Sequence, residues 1–201
     1  MVYDGLRWFT GARSACRVGR VGGGYFGVGR RRSPLERGFV SVVAVRVQPA
    51  GFSVAADSIT VRGYTQRKDK HAKLVSVNDL TIGSVGLVEE SAMFQIFCMS
   101  HQPKSVEPDA LLEFVWDFSS WKKTRTDSNK IENSYMLGIG SEAVYCIDGF
   151  LAERVKDFEA IGAGMDYALS ALHLGRSVVE AVETAIELSV YCEGPVKEIT
   201  R

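Results

Sequence analysis

Apolar and polar residues alternate from Val40 to Gln48 and again from Phe52 to Val61, the period-two pattern of strands. Pro49-Ala50-Gly51 reads as the turn between them, and the second strand carries Asp57. The polar run Thr65 to His71 reads as a loop, with Arg67, Lys68 and Lys70 on a solvated rim. Lys73 to Val77 and Leu80 to Val85 form a predicted hairpin across Asn78-Asp79, a tight-turn pair. The period then turns helical. One helix is predicted from Leu87 to about His101 and a second from about Pro108 to Lys122, with proline in its first turn. In the second, Leu111, Phe114, Val115 and Phe118 fall at i, i+3, i+4 and i+7, one buried face. Trp116 and Trp121 read as packing or interface aromatics.

Thr124 to Glu132 is polar and loop-like. Ser134 to Gly140, Ala143 to Asp148 and Phe150 to Val155 read as strands. Ala160-Ile161-Gly162-Ala163-Gly164 leads into a helix with Met165, Ala168, Leu169 and Leu172 on one stripe, ended by Gly175. Ser177-x-x-Glu180 is a capping box opening the last helix, whose inner face is Val178, Val182, Ala185, Ile186 and Ser189. Tyr191-Cys192-Glu193-Gly194-Pro195 breaks that helix, and Val196 to Thr200 closes as a strand. Strands, two helices, strands, two helices and a strand argue for an α+β layered fold rather than a parallel α/β sheet. Two antiparallel sheets stacked between helix pairs satisfy this order.

At 201 residues the chain is long enough for one domain with a sizeable core. Its formal charge of zero hides an asymmetry: residues 1–39 carry a net +6 and the remainder −6. The body of the chain is therefore mildly acidic, with no basic patch suited to nucleic acid. The first thirty-nine residues are rich in Gly and Arg, lack periodicity, and are predicted to be a disordered extension preceding a domain at 40–201. Such an arm, with Arg30-Arg31-Arg32 its strongest contact, suits nucleic acid or an anionic surface. A removable propeptide is a second reading. The preferred one is a mis-assigned start: valine can be encoded by GTG, a start at codon 40 gives Met-Ser-Val-Val, and removal of that Met exposes Ser41. Four cysteines, Cys16, Cys98, Cys146 and Cys192, lie far apart without zinc-like spacing and read as buried or half-buried thiols in a reducing cytoplasm. His71, His101 and His173 show no triad or metal spacing and read as surface or partly packed. No apolar run approaches the ~20 residues of a membrane span, so no membrane association and a cytoplasmic location are expected.

The candidate chemistry lies between Ser41 and Gly86. A hydroxyl, Ser41, begins the alternating segment SVVAVRV; sixteen positions later comes the acid of an AAD triplet, Asp57, and sixteen later again Lys73. Gly83-Ser84-Val85-Gly86 closes the run. Even offsets on paired strands keep such residues on one face. This stretch resembles the proteasome β-subunit family, including the bacterial HslV peptidase. The family's pattern of nucleophile, G-x-x-x-A-A-D strand, lysine and oxyanion glycine is filled here by Ser41, Gly51 to Asp57, Lys73 and Gly86. IGAGMDYALSAL resembles the segment that begins the family's third helix. The resemblance covers residues 41 to 201 and implies a four-layer αββα sandwich, the N-terminal-nucleophile hydrolase fold.

It also implies a function: an N-terminal-serine peptidase that cleaves unfolded polypeptides inside a self-compartmentalised homo-oligomeric ring, commonly fed by an AAA+ unfoldase. No cofactor or metal is implied. Ser41 is the implied nucleophile, its own α-amine the base, Asp57 and Lys73 the supporting pair, and the Gly86 N–H the oxyanion donor. Two departures bear on the site: serine stands where most relatives have threonine, and Ala163 replaces a serine that helps hold the terminal amine. The competing expectations are a non-catalytic ring or scaffold subunit and an amidohydrolase acting on small amides.

Overall fold

The computed structural model describes residues 40–62, 64–68 and 71–201. The expectations for residues 1–39, and those for Lys70 and the side chain of Lys68, lie outside the described residues. The chain begins with β1 (Val42–Gln48), β2 (Gly51–Ala56), β3 (Ile59–Arg62), β4 (Thr65–Lys68), β5 (Leu74–Val77) and β6 (Leu80–Val85). Helices α1 (Val88–Cys98) and α2 (Pro108–Lys123) follow, then β7 (Ser134–Ile139), β8 (Ala143–Asp148), β9 (Leu151–Arg154) and β10 (Phe158–Gly162). Helices α3 (Met165–His173) and α4 (Val178–Leu188) and strand β11 (Lys197–Thr200) complete it.

Two antiparallel sheets form, ordered β10-β1-β2-β11 and β5-β6-β7-β8-β9, while β3 and β4 pair as a separate hairpin. Strand β1 shows how the layers arise. Val42 and Ala44 point into a cluster with Ala168, Leu172, Val178, Val182 and Ala185 of α3 and α4. Val43 and Val45 point the other way, into a cluster with Val54, Leu74, Val85 and Met136 between the sheets. A strand buried on both faces must lie inside the stack. On the far side Ile82, Tyr135 and Leu137 pack against Phe94, Phe97, Phe114 and Phe118 of α1 and α2. The order of layers is helix pair, five-stranded sheet, four-stranded sheet, helix pair: the αββα sandwich. Each fully buried Val, Leu or Phe in it is worth about 1.5–3 kcal/mol of burial.

Three expectations change. Phe52 to Val61 is not one strand: β2 ends at Ala56, Asp57 N–H makes a last bond to Val42 O (3.2 Å), and Ser58 turns to other partners. The N–H of Ser58 donates to Glu193 O (3.0 Å) and its hydroxyl to Pro195 O (2.6 Å). Thr65 to Lys68 is a strand rather than a loop; its partner carries solvent-exposed residues, so no apolar alternation marked it. Phe158 to Gly162 is a strand, pairing with β1 from Val42↔Gly162 to Arg46↔Phe158, where only an approach to a helix was expected. The predicted Ser177 capping box is present in full. Cys98 and Cys192 are buried, Cys146 is half-buried, and all three are free thiols.

One buried ion pair ties α1, α2 and the segment before β7 together. Glu90, on the inner side of α1, accepts from Lys122 Nζ of α2. It also takes the N–H groups of Glu132 (3.0 Å) and Asn133 (2.9 Å) and the Tyr135 hydroxyl (3.3 Å). Burial and the Glu90 charge push the Tyr135 phenol well above its ordinary value. Lys122 in turn donates to Lys130 O (2.6 Å). Each charge is the other's ion-pair partner in a buried setting, so removing one leaves the other buried and without a counter-charge. Glu90→Ala is expected to lower the unfolding free energy by about 3–5 kcal/mol in a urea titration. The double change Glu90→Leu with Lys122→Met strands no charge and should lose less, while the amides of Glu132 and Asn133 still go unpaired. Equal losses in the single and double variants would mean that the pairing itself is not what the single change breaks.

Candidate active site

Ser41 lies just before β1, 2% exposed, at the end of β1 where β2 and β10 also finish. Its carbonyl is clasped by the β10–α3 turn: Gly164 N–H donates to Ser41 O at 3.2 Å. Gly162, at φ 101°, comes so close that a Cβ there would lie 2.4 Å from the same oxygen. Ser41 itself has φ 134°, an uncommon torsion for a residue other than glycine. That torsion turns about the Ser41 N–Cα bond and is defined by the attached Val40. A chain that starts at Ser41 has no such constraint, and strain of this kind costs on the order of 1–3 kcal/mol.

Asp57 sits where the chain breaks from β2, with its side chain wholly buried. Oδ1 accepts from Lys73 Nζ at 2.8 Å and from Val42 N–H at 3.0 Å, and Oδ2 accepts from Glu193 N–H at 3.3 Å. Asp57 thus binds the lysine and the residue next to the serine at once. Lys73 immediately precedes β5 and belongs to the other sheet's side of the stack, so the pair bridges the two sheets. Burial pulls the Lys73 ammonium below the usual lysine range even though Asp57 acts against it. Burial likewise raises the Asp57 carboxyl, opposed by Lys73 and the two backbone donors. With three donors on one carboxylate, the ionised pair is the state that the geometry stabilises.

Gly86 closes the third side. At φ 125° it needs the freedom of glycine, and a Cβ would sit 2.3 Å from Asn133 Oδ1. Asn133 accepts from Leu87 N–H (2.6 Å) and donates to Leu87 O (2.8 Å). Of the two consecutive amides at this turn, that of Leu87 is therefore already committed. Asn133 is itself held by Glu90, so the buried ion pair reaches the site through one side chain.

Ser41, Lys73 and Gly86 line one cavity of ≈ 50 Å³, together with Val40, Ile59, Thr60, Val61, His71, Ser84, Val88 and Ser91. Asp57 lies behind Lys73. The four residues singled out in the sequence are thus brought to one place. Sequence reasoning missed Asn133 and Glu90, which look like ordinary loop and helix positions. It also missed His71 and Thr60, whose Nε2 and Oγ1 are buried without a partner among the described residues. Burial, and then the Lys73 charge, lower the His71 pKa. His101 is exposed and stacks on Phe97, and His173 is exposed, as expected. Among the described residues no group of His, Cys, Asp and Glu is arranged to hold a metal. No helix among them is long and apolar enough to cross a membrane.

By sequence the chain matches no protein-family model and no curated protein. Its structure does have relatives. BPH of Thiobacillus denitrificans, a bacterial proteasome homologue, matches in complex with epoxomicin at a TM-score of 0.69 and 17% identity. The match covers 80% of this chain and 97% of that one. The same protein without that ligand matches at 0.69 and 16%, with the same coverage. Eukaryotic HslV from Trypanosoma brucei matches at 0.62 and 17%, over 80% of this chain and 99% of its own. The fold is that of the proteasome and HslV peptidases.

Proposed function

We propose that the chain, with Ser41 as its first residue, is an N-terminal-serine peptidase that hydrolyses peptide bonds of unfolded polypeptides. The observation that carries this reading is the buried Asp57–Lys73 pair bonded to the residue beside Ser41 and opening on the same cavity. The relaxed torsion that a free Ser41 would gain, and the fold shared with an epoxomicin-binding homologue, point the same way.

A serine hydroxyl needs a base to become a useful nucleophile. A terminal Ser41 carries one, its α-amine, with an unperturbed pKa of about 7.7–8.0. The Lys73 cation nearby disfavours a second positive charge and keeps that amine neutral at lower pH. The amine takes the Oγ proton, directly or through water, as Oγ attacks the scissile carbonyl. The Gly86 N–H donates to the resulting oxyanion, a contribution worth about 3–4 kcal/mol for such a donor. The proton passes from the ammonium to the leaving amine, an ester forms on Ser41, and water hydrolyses it with the α-amine again as base. Asp57 holds Lys73 in place and charged throughout.

A homo-oligomeric ring in the cytoplasm, supplied by an AAA+ unfoldase, completes the proposal. Tyr167, Leu174 and Leu188 border a shallow groove on α3 and α4, and Leu174 is 78% exposed, as suits a face covered by another copy. The second reading, a non-catalytic ring or scaffold subunit, is favoured by Ala163, which offers no hydroxyl beside the nucleophile.

The test uses the chain produced to begin at Ser41. Epoxomicin should label it, and Ser41→Ala should lose both labelling and peptide turnover. Labelling that survives this change would falsify the assignment, and no turnover of any peptide or small amide by the intact assembly favours the scaffold. Substrates of the two kinds separate a peptidase from an amidohydrolase, and sedimentation velocity reports the ring. The pH profile carries a sign. Lys73 is held below the usual lysine range, so kcat/KM should fall on the alkaline side before a free lysine would titrate. Asp57→Asn removes the charge that raises the Lys73 pKa, so that limb should move to lower pH. An alkaline limb unmoved by Asp57→Asn would show that Lys73 does not set it.

A further inference from the structure

The nitrogen of Ser41 has a neighbour that the mechanism above leaves unused. Cys192 is 4% exposed and lies just beyond α4, its N–H donating to Ser189 O at 3.2 Å. Its sulfur is pressed against the turn that clasps Ser41: a Cβ on Gly164 would lie 2.6 Å from Sγ. There the thiol meets the Ser41 backbone N–H and the Ser189 hydroxyl, within reach of the Asp57 and Lys73 charges. The next amide, that of Glu193, donates to Asp57 Oδ2. One short segment therefore touches both the nitrogen of the nucleophilic residue and the acid that orients the lysine. Ala163, on the same turn as Gly164, has no hydroxyl to offer this nitrogen.

We infer that Cys192 is a positioning residue, whose neutral thiol accepts one N–H of the Ser41 α-amine and thereby aims the nitrogen lone pair at the Ser41 hydroxyl. The inference rests on the peptidase reading. No proton moves to sulfur: the lone pair takes the Oγ proton and the thiol keeps its own. Neutrality matters here, because an anion at this position would stabilise the ammonium and remove the base near neutral pH. Burial, followed by the Asp57 charge, pushes the Cys192 thiol up to about 11, so it stays protonated. The other titratable groups close by are Asp57, whose charge is offset by Lys73, Lys73 itself, which disfavours the ammonium, and His71, whose own pKa is lowered. A thiol is a weak acceptor, enough to orient an N–H without competing for the lone pair.

Three variants of the chain beginning at Ser41 test this, each read by thermal unfolding, by kcat and KM on a peptide, and by the α-amine pKa from ¹⁵N-serine NMR. Cys192→Ala is expected to lower kcat about fivefold, since sulfur is a weaker acceptor than oxygen, with KM within about twofold. Cys192→Ser restores an acceptor and should bring kcat back to within about threefold of the parent. Cys192→Asp should raise the α-amine pKa and carry the acidic limb of kcat/KM to higher pH by about one unit. An amine pKa and kcat unmoved in all three overturn the inference while leaving the peptidase standing. Equal losses in the Ala and Ser variants that track lost thermal stability overturn it too, since sulfur then only fills space. A chain that turns nothing over, yet whose amine pKa rises with Cys192→Asp, keeps residue 192 beside the amine but overturns the peptidase and with it the positioning role.

Discussion

A single buried carboxylate, Asp57, holds the working end of this molecule together. It sits at the point where β2 stops pairing, and it collects a lysine from the side of the other sheet, the amide beside Ser41 and the amide of Glu193. A charge in such a place is costly unless its lone pairs are filled. The stack of sheets must therefore close at this end with Lys73 in place, and once it does, the lysine is fixed against the cavity that Ser41 lines. The same desolvation that makes the pair demanding leaves the lysine charge poorly screened beside the cavity, where it disfavours a second cation as long as Asp57 keeps it ionised.

The rest of the site is built by close approach rather than by further charge. Gly162 and Gly164 let the β10–α3 turn wrap the Ser41 carbonyl, and Gly86 lets its own turn press against Asn133. Asn133 is in turn oriented by Glu90, whose charge is balanced by Lys122 at the end of α2. Two buried ion pairs, one on each side of the cavity, therefore fix two different walls. Polar networks of this kind rigidify a site when every member is satisfied. His71 Nε2 and Thr60 Oγ1, the buried side-chain polar atoms left without partners among the described residues, belong to two residues that line this cavity.

The elements that were legible in the sequence are those whose burial is one-sided or whose ends are marked chemically. Helix α2 shows its inner face at i, i+3, i+4 and i+7, and α4 announces itself through the Ser177–Glu180 cap. Strand β10 was not legible because Phe158 to Gly162 ends among glycines that look like a loop before a helix; only pairing with β1 makes it a strand. Strand β4 was hidden because its hairpin projects from the stack, and period-two alternation records burial, not hydrogen bonding. The break at Asp57 was invisible for a related reason: Ala55, Ala56 and Ile59 around it are apolar and buried, while the partners that turn Ser58 away, Glu193 and Pro195, lie more than a hundred positions along the chain.

The sequence by itself determined the layered α+β class, the sheet-forming alternation of β1 and the buried faces of α2 and α4, because each is a local periodicity. It set Ser41, Asp57 and Lys73 at even offsets, but Lys73 stands beside the other sheet, so their meeting is a tertiary contact. Tertiary structure alone decided that Gly86 is pinned by Asn133, that Glu90 and Lys122 neutralise each other, and that the Cys192 sulfur ends beside the Ser41 nitrogen. Those contacts join positions that share no period and no motif. They exist because stacking two sheets and two helix pairs brings distant segments to one end, where desolvated charges and buried amides must find partners.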